Sequence, residues 1–425
     1  MTNGSHERCS NPDYGIEREF GIVPSFSYRN QTIEAGGLAE SIRGMQLTLD
    51  YNALNLFLRA DLFLNGATPF REVRRVSPPP VIVPAAEMSR EQAIDGYIDL
   101  FRQAVTRRRS PGSVVALSGG RDSRHVLLEL CRQGAPPAYA LTIASKTDTD
   151  FEMAHQLARA VGVEHRMAWQ DRSIDGMRFT VRATDFMSME HAWFAVLARA
   201  RDERAWWDGI GGDVLSAGTY PSAGTYPEEW DVRLFETGQL DELAHRLVRT
   251  GRVPYFRDQS LFPRPAAVDA VRKELALHIG AANPAGSFYF WNRTRVNIGA
   301  SAFGLLRRAG QVVCAPFLDR DLWHFLSSIP LRHILGKQLH NDVIRRAYPA
   351  FAHLEYSRKR RPDRAYHQTQ SLRLLRHLAT QRPTLATLAA AARTVRTLVF
   401  PWRASDIHWI TRSWIYGDEL ERVRR

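Results

Sequence analysis

A strand-like apolar run, Val114-Val115-Ala116-Leu117, passes into Ser118-Gly119-Gly120-Arg121-Asp122-Ser123 and then into a helical pattern ending near Gln133. A strand that turns into a helix across two glycines lets the backbone approach an anion closely. The helix start presents unpaired N–H groups and the positive end of its dipole, and serine hydroxyls add donors. Asp122 would repel phosphate on its own, so its place in such a loop points to a divalent cation such as Mg2+ between carboxylate and anion. The chain has no Gly-Lys-Ser/Thr loop, so transfer of a terminal phosphate is not expected.

The surrounding pattern alternates. A helical stretch runs from Glu91 to about Arg107 before the first strand, and Gly134 is a natural stop for the helix after it. A second apolar run, Ala138 to Ile143, precedes a helix in which Phe151, Ala154, Ala158 and Val161 recur at spacings of three and four. A third strand is expected at His165 to Ala168. Strands separated by helices of this length predict an α/β fold, a parallel sheet with helices on both faces that binds ligands at the carboxyl ends of its strands. Beyond residue 230 the chain reads as mainly helical, including Pro265 to His278, Arg320 to Ser328 and Lys337 to Ala347.

Ser77-Pro78-Pro79-Pro80 cannot lie within a regular element and marks a boundary. Residues 1–85 form a short N-terminal segment with amphipathic pieces such as Leu54 to Phe63, residues 86–367 the α/β unit, and residues 368–425 a basic helical C-terminal extension. After the second glycine-rich segment the hexapeptide Ser-Ala-Gly-Thr-Tyr-Pro occurs twice in succession from Ser216, which reads as a duplicated loop.

Composition narrows the partners. The net charge of +12 is almost entirely arginine, since lysine occurs only at Lys146, Lys273, Lys337 and Lys359, and it is not gathered into one tract. Nucleic acid is therefore not an expected partner. No apolar run is long enough for a membrane span and no signal-peptide core is present, so a cytoplasmic location is expected. The three cysteines form no Cys-x-x-Cys pair, and a zinc knuckle is not expected.

Ser118-Gly119-Gly120-Arg121-Asp122-Ser123 resembles the pyrophosphate loop of the ATP pyrophosphatases, which split ATP between its first two phosphates. Asp208-Gly209-Ile210-Gly211-Gly212-Asp213 and Ala315-Pro316-Phe317-Leu318-Asp319 resemble two segments of the asparagine synthetase branch, and Gly336-Lys337-Gln338-Leu339 through Pro349 resembles a third. The likeness covers roughly residues 50 to 367 in the right order and implies an adenine nucleotide α-hydrolase-like fold, with ATP and Mg2+ as cofactors.

Carried over by position, the resemblance implies that Asp122 and Asp213 hold the metal while Ser118, Gly119, Gly120 and Ser123 cradle pyrophosphate. The backbone of Leu117 and Ile143 would line the adenine pocket, Gly211 would lie near the adenylate, and Asp150 matches an acidic position at the start of the second helix. The family supplies a late lysine against the charge on departing pyrophosphate, for which Lys359 is the candidate, with Arg360 one register away. Asp319 is a further catalytic candidate, although an aspartate preceding a helix is also an ordinary N-cap.

Departures limit what is inherited. Thr2 follows Met1 where relatives expose a glutaminase cysteine, so an intact glutaminase is not expected. Ile210 stands where relatives place an ionisable group, and Val214 replaces the usual acidic residue after Asp213. The reaction implied is AMP-forming amide ligation on a carboxylate-bearing small molecule or peptide, including lactam or macrolactam closure as in β-lactam synthetases and lasso-peptide cyclases. For a macrolactam, a precursor peptide and a leader protease are the expected partners. The rival readings are a tRNA-modifying ATP pyrophosphatase, ammonia-dependent amidation of a small carboxylate, and a non-catalytic nucleotide-binding relative.

Overall fold

The computed structural model describes residues 15–357 and 415–422, apart from 30, 35–36, 43–44, 110–111, 145–148, 171–173, 189–191, 200–204, 217–232, 249–258, 307–308 and 336–337. Near its start, strands β1 (Ser25–Tyr28), β2 (Gln31–Glu34) and β3 (Val73–Arg75) form an antiparallel sheet in the order β2-β1-β3. Phe26 and Tyr28 on β1, Ile33 on β2 and Val73 on β3 are buried, as the two-residue period of a one-sided sheet requires. The helix Tyr51–Ala60 begins at Asp50, whose side chain accepts from the Asn52 and Ala53 N–H groups. It packs Leu54, Phe57 and Leu58 into the core of that sheet, together with Phe186, Met187, Tyr416 and Leu420 from much later in the chain.

Residues 76–89, which include the proline run, contain no regular element. The helix Arg90–Arg108 then starts with a reciprocal cap, Ser89 accepting from Gln92 N–H and Gln92 accepting from Ser89 N–H. It leads to the parallel sheet, made of β4 (Val114–Ala116), β5 (Tyr139–Ala144), β6 (His165–Trp169), β7 (Trp206–Trp207) and β8 (Val313–Cys314) in the order β6-β5-β4-β7-β8. Val114 pairs with Tyr139 on one side and Trp206 on the other, and Trp206 pairs with Val313. All four pairings are parallel, so the carboxyl ends of the strands share one edge. The chain runs outward from β4 through β5 to β6, then returns to the far side of β4 with β7. That makes the β4/β7 crevice the topological switch point of the sheet.

The expected helices are present over Asp122–Arg132, Asp150–Ala160, Arg264–Ala276, Arg320–Ser328 and Gln338–Ala347. Gly134 ends the first of them at φ +67°, a conformation in which a side chain would be strained. Beyond residue 230 the described elements are mainly helical, as expected, with two particulars. β8 lies there, and the helical run that starts at Pro284–Tyr289 is wound as π-helix over Phe290–Ile298 and Ala300–Leu305. Of the C-terminal extension, residues 415–422 are described and helical. They dock through Tyr416, whose hydroxyl donates to Phe186 O at 2.7 Å, and through Glu419, which pairs with Arg178 and Arg182. Among the described residues no helix is long and apolar enough to cross a membrane.

Candidate active site

Two loops meet at the switch point. After β4, the Ser118 N–H donates to Ser123 Oγ at 3.0 Å, the two serine hydroxyls lie 3.0 Å apart, and the Gly120 N–H donates to Ser118 Oγ at 3.2 Å. This compact turn delivers the chain to the helix Asp122–Arg132. After β7, Gly211 adopts φ +90° and turns the chain into the short helix Gly212–Ser216, which carries Asp213 in its first turn. The loops touch with no room for side chains. A Cβ on Gly209 would fall 2.5 Å from Asp122 Cβ, and one on Gly212 would fall 2.6 Å from the Asp122 carboxyl group. This close packing of the glycine backbone on Asp122 brings Asp122 and Asp213 into one electrostatic neighbourhood.

The charges there are of like sign. Asp122 is held well above the ordinary carboxylate range, first by withdrawal from water and then by Asp213, with Asp208 adding to the effect and Arg121 opposing it. Burial, together with Asp213, also raises Asp208 to about 7. Three carboxylates at the mouth of a glycine-rich, amide-lined turn suit a hard divalent cation. No set of three His, Cys, Asp or Glu side chains closes a metal cage among the described residues. Such an incomplete donor set fits Mg2+ that arrives with phosphate ligands of its own.

Other elements brace the first loop. Asp150, at the start of its helix, accepts from the Gly119 N–H at 3.2 Å, so it positions the turn. The segment Leu354–Ser357 lies across the turn as a strap. The Ser357 N–H donates to Gly119 O at 2.9 Å, Arg124 donates to the carbonyls of Leu354 and Glu355, and Tyr356 stacks beneath the guanidinium groups of Arg121 and Arg124. Leu117 extends β4 by donating to Leu141 O at 2.9 Å, and its carbonyl accepts from Thr142 Oγ1 at 2.7 Å. Ile143 is half-buried near the carboxyl end of the neighbouring β5.

The structure therefore brings together Leu117, Ser118, Gly119, Gly120, Asp122, Ser123, Ile143, Asp150, Gly211 and Asp213 along one edge of the sheet. It gives Asp319 partners of another kind. The Asp319 carboxylate is buried, receives Arg107 at 3.0 Å and Arg108 at 2.7 Å, and caps the helix Arg320–Ser328 by accepting from the Asp321 and Leu322 N–H groups. Its N-cap reading, not its catalytic one, describes its surroundings. Lys359 and Arg360 lie outside the described residues, as do Gly336, Lys337 and the duplicated hexapeptide beyond Ser216. Ile210 is buried in the main core.

Two neighbours of the site were not singled out by sequence. Asp208 sits at the head of the second motif, and its signal was simply a third carboxylate in the same segment. His340 lies on the helix Gln338–Ala347, fully buried, with Nδ1 3.4 Å from Asp122 Oδ1. Burial pushes its imidazole down to about 3. A lone histidine in an amphipathic helix carries no sequence signal of such a contact.

In a comparison with known protein families, the family described as asparagine synthase matches residues 96–399, which include both glycine-rich loops, Asp319 and the basic run after Ser357. No curated protein matches the chain.

Proposed function

Because the chain belongs to the asparagine synthase family, whose members are ATP-dependent ligases, we propose that it adenylates a substrate carboxylate and transfers the acyl group to an amine. The observation that carries this reading is the convergence of Asp122 and Asp213 at the switch point, on loops held in backbone contact. A substrate carboxylate oxygen attacks the α-phosphorus of ATP, and the bond to pyrophosphate breaks. The amine then attacks the acyl carbon, AMP leaves, and the surplus proton passes to a base or to solvent.

In this reading the turn of Ser118, Gly119, Gly120 and Ser123 holds the pyrophosphate portion, its groups that now bond one another turning to the anion, and Asp150 keeps the turn in shape through the Gly119 N–H. Asp122 and Asp213 hold Mg2+, which when bound offsets the phosphate charge. The edge formed by Leu117 and Ile143 receives adenine, and Gly211, in its left-handed turn, lies near the adenylate. Ser357 is tied to Gly119, and Lys359 follows two residues later, a span of at most about 7 Å of chain. Lys359, or Arg360 in the alternative register, is thus the cation assigned to the departing pyrophosphate, and Lys359→Ala should lower turnover by about 10²-fold.

The amine partner is preformed and intramolecular, which makes the product a lactam or macrolactam of a peptide or specialised metabolite. Ile210 supports this, because a buried aliphatic side chain offers no base for activating ammonia. Holding both ends of one substrate in a pocket lessens the need for such a base. A peptide substrate would arrive from a precursor peptide trimmed by a leader protease.

The experiment follows exchange of labelled pyrophosphate into ATP with Mg2+ present, using candidate precursor peptides in one series and aspartate with ammonium in another. Exchange that requires the peptide, with a product lighter by one water, is the expected result. Efficient asparagine formation from ammonium would refute the substrate assignment, and absence of any carboxylate-dependent exchange would refute the ligase reading itself.

A further inference from the structure

Behind the two carboxylates lies a buried polar chain drawn from four helices. His340 Nδ1 is 3.0 Å from Ser216 Oγ and 3.4 Å from Asp122 Oδ1. Its Nε2 is 3.2 Å from the Tyr97 hydroxyl and 3.2 Å from His125 Nδ1. Ser216 ends the short helix that carries Asp213, and its hydroxyl donates to Gly212 O at 2.7 Å. The rest of the surroundings is aromatic, with His125 stacked on Phe101 at 3.6 Å and Phe317 packed beside both histidines.

The partners dictate the tautomer. The Ser216 hydrogen is used on Gly212 O, so its oxygen can only accept from the ring edge it faces at 3.0 Å, which places the proton on Nδ1. Asp122, 3.4 Å from the same nitrogen, accepts likewise once it is ionised in holding the cation. Nε2 is then the acceptor for His125 Nδ1, while the Tyr97 hydroxyl donates to Ser216 Oγ at 3.1 Å. An imidazole in an aromatic core costs free energy that a phenyl ring would not, unless its polar edges are used. Here one edge touches both halves of the site, Asp122 directly and the Asp213 helix through Ser216. The same helix, Gln338–Ala347, also takes Arg121 in a 2.6 Å bond from Nε to Asn341 Oδ1.

We propose that His340 is a positioning residue that registers the two metal-bearing loops against each other, with Ser216 as its link to the Asp213 helix. This rests on the proposed function only in assigning the cation to Asp122 and Asp213. Positioning groups behind metal carboxylates typically change metal affinity by about 10–100-fold, and the contact is tested by where a replacement amide can reach. The side chain in His340→Asn offers an N–H near the place of Nδ1, whereas that in His340→Gln offers one near the place of Nε2.

The test measures equilibrium binding of magnesium with a non-hydrolysable ATP analogue to the full chain, beside thermal unfolding midpoints. His340→Gln is expected to weaken binding about tenfold or more, and His340→Asn to restore it to within a few-fold of the unmodified protein. A purely packing role predicts the opposite order, with the smaller loss in His340→Gln, whose longer side chain fills more of the space of the ring. Equal affinities in the two variants, or undiminished affinity in His340→Gln, overturn the proposal. If neither variant folds, Ser216→Ala decides, with weakened analogue binding at an unchanged unfolding midpoint expected and undiminished affinity overturning it. A chain that binds the analogue but shows no pyrophosphate exchange refutes the ligase reading and leaves the Asn/Gln contrast as the judge of His340. Failure of the unmodified chain to bind the analogue overturns both.

Discussion

Asp122 and Asp319 both stand a few residues beyond the carboxyl end of a buried parallel strand, yet the protein treats them in opposite ways. Around Asp319 it supplies Arg107, Arg108 and two helix N–H groups. Around Asp122 it gathers more negative charge, from Asp213 and Asp208. A carboxylate that the fold has neutralised is part of the scaffold, and one whose repulsion the fold maintains is prepared for a cation from outside. Location at a strand end is therefore not enough to identify a functional acid. What completes its charge separates the two cases.

The largest effect expected from this contrast is on activity. Asp122→Asn or Asp213→Asn should abolish pyrophosphate exchange, a loss on the order of 10³-fold or more if several kcal/mol of metal-mediated stabilisation disappears. The same changes should leave the metal-free protein as stable as before or more so, because they remove like-charge repulsion. Denaturant melts run alongside the exchange assay check both halves, and a variant that exchanged normally would end the distinction drawn here.

Asp319→Ala should show the mirror image. It leaves Arg108 buried without its closest carboxylate and removes a helix cap, a loss of about 3–5 kcal/mol for a broken buried pair. Exchange per folded molecule should persist. Selective loss of turnover with an unchanged unfolding midpoint would instead return Asp319 to the catalytic list.

The smallest effect concerns pH. Asp208 is raised from its ordinary 3.8 to about 7, so between those values the folded chain binds its proton and the unfolded chain does not. Stability contributed by this group is present at low pH and is lost as pH rises through about 7. Asp208→Asn removes that loss, so without metal its advantage over the unmodified protein should widen between pH 4 and 7, by at most about 1.4 kcal/mol per unit. The lowered histidines His125 and His340 push the other way, but they are common to both proteins and cancel in the difference. A constant difference across that range would mean that Asp208 titrates normally.

Much of the α/β unit was legible, because helices such as Asp150–Ala160 and Arg320–Ser328 expose their period over several turns. β7 and β8 were not, since two residues apiece, Trp206–Trp207 and Val313–Cys314, are too few to show any period. The motifs that follow them were visible while the strands that aim them were hidden. The antiparallel sheet near the start was missed for a related reason, as its strands are three or four residues long and its core is completed by residues as distant as Tyr416. At the site, glycines and aspartates in a strand-to-helix turn carry their chemistry in local order. The roles of Asp319 and His340 depend on partners brought from other elements, Arg107 and Arg108 for one and Tyr97 and Ser216 for the other, which no local pattern contains.

The close approach of Gly209 and Gly212 to Asp122 also limits the routes by which this site can change over generations. A methyl group at either glycine meets the aspartate inside van der Waals distance, so a lineage cannot enlarge one loop while the other stays as it is. Substitutions there are admissible mainly as pairs, and the first member of a pair is filtered out before the second can arise. The two loops, separated in the chain by three strands and several helices, therefore behave as one heritable unit. Diversification of the substrate falls to the surfaces around them.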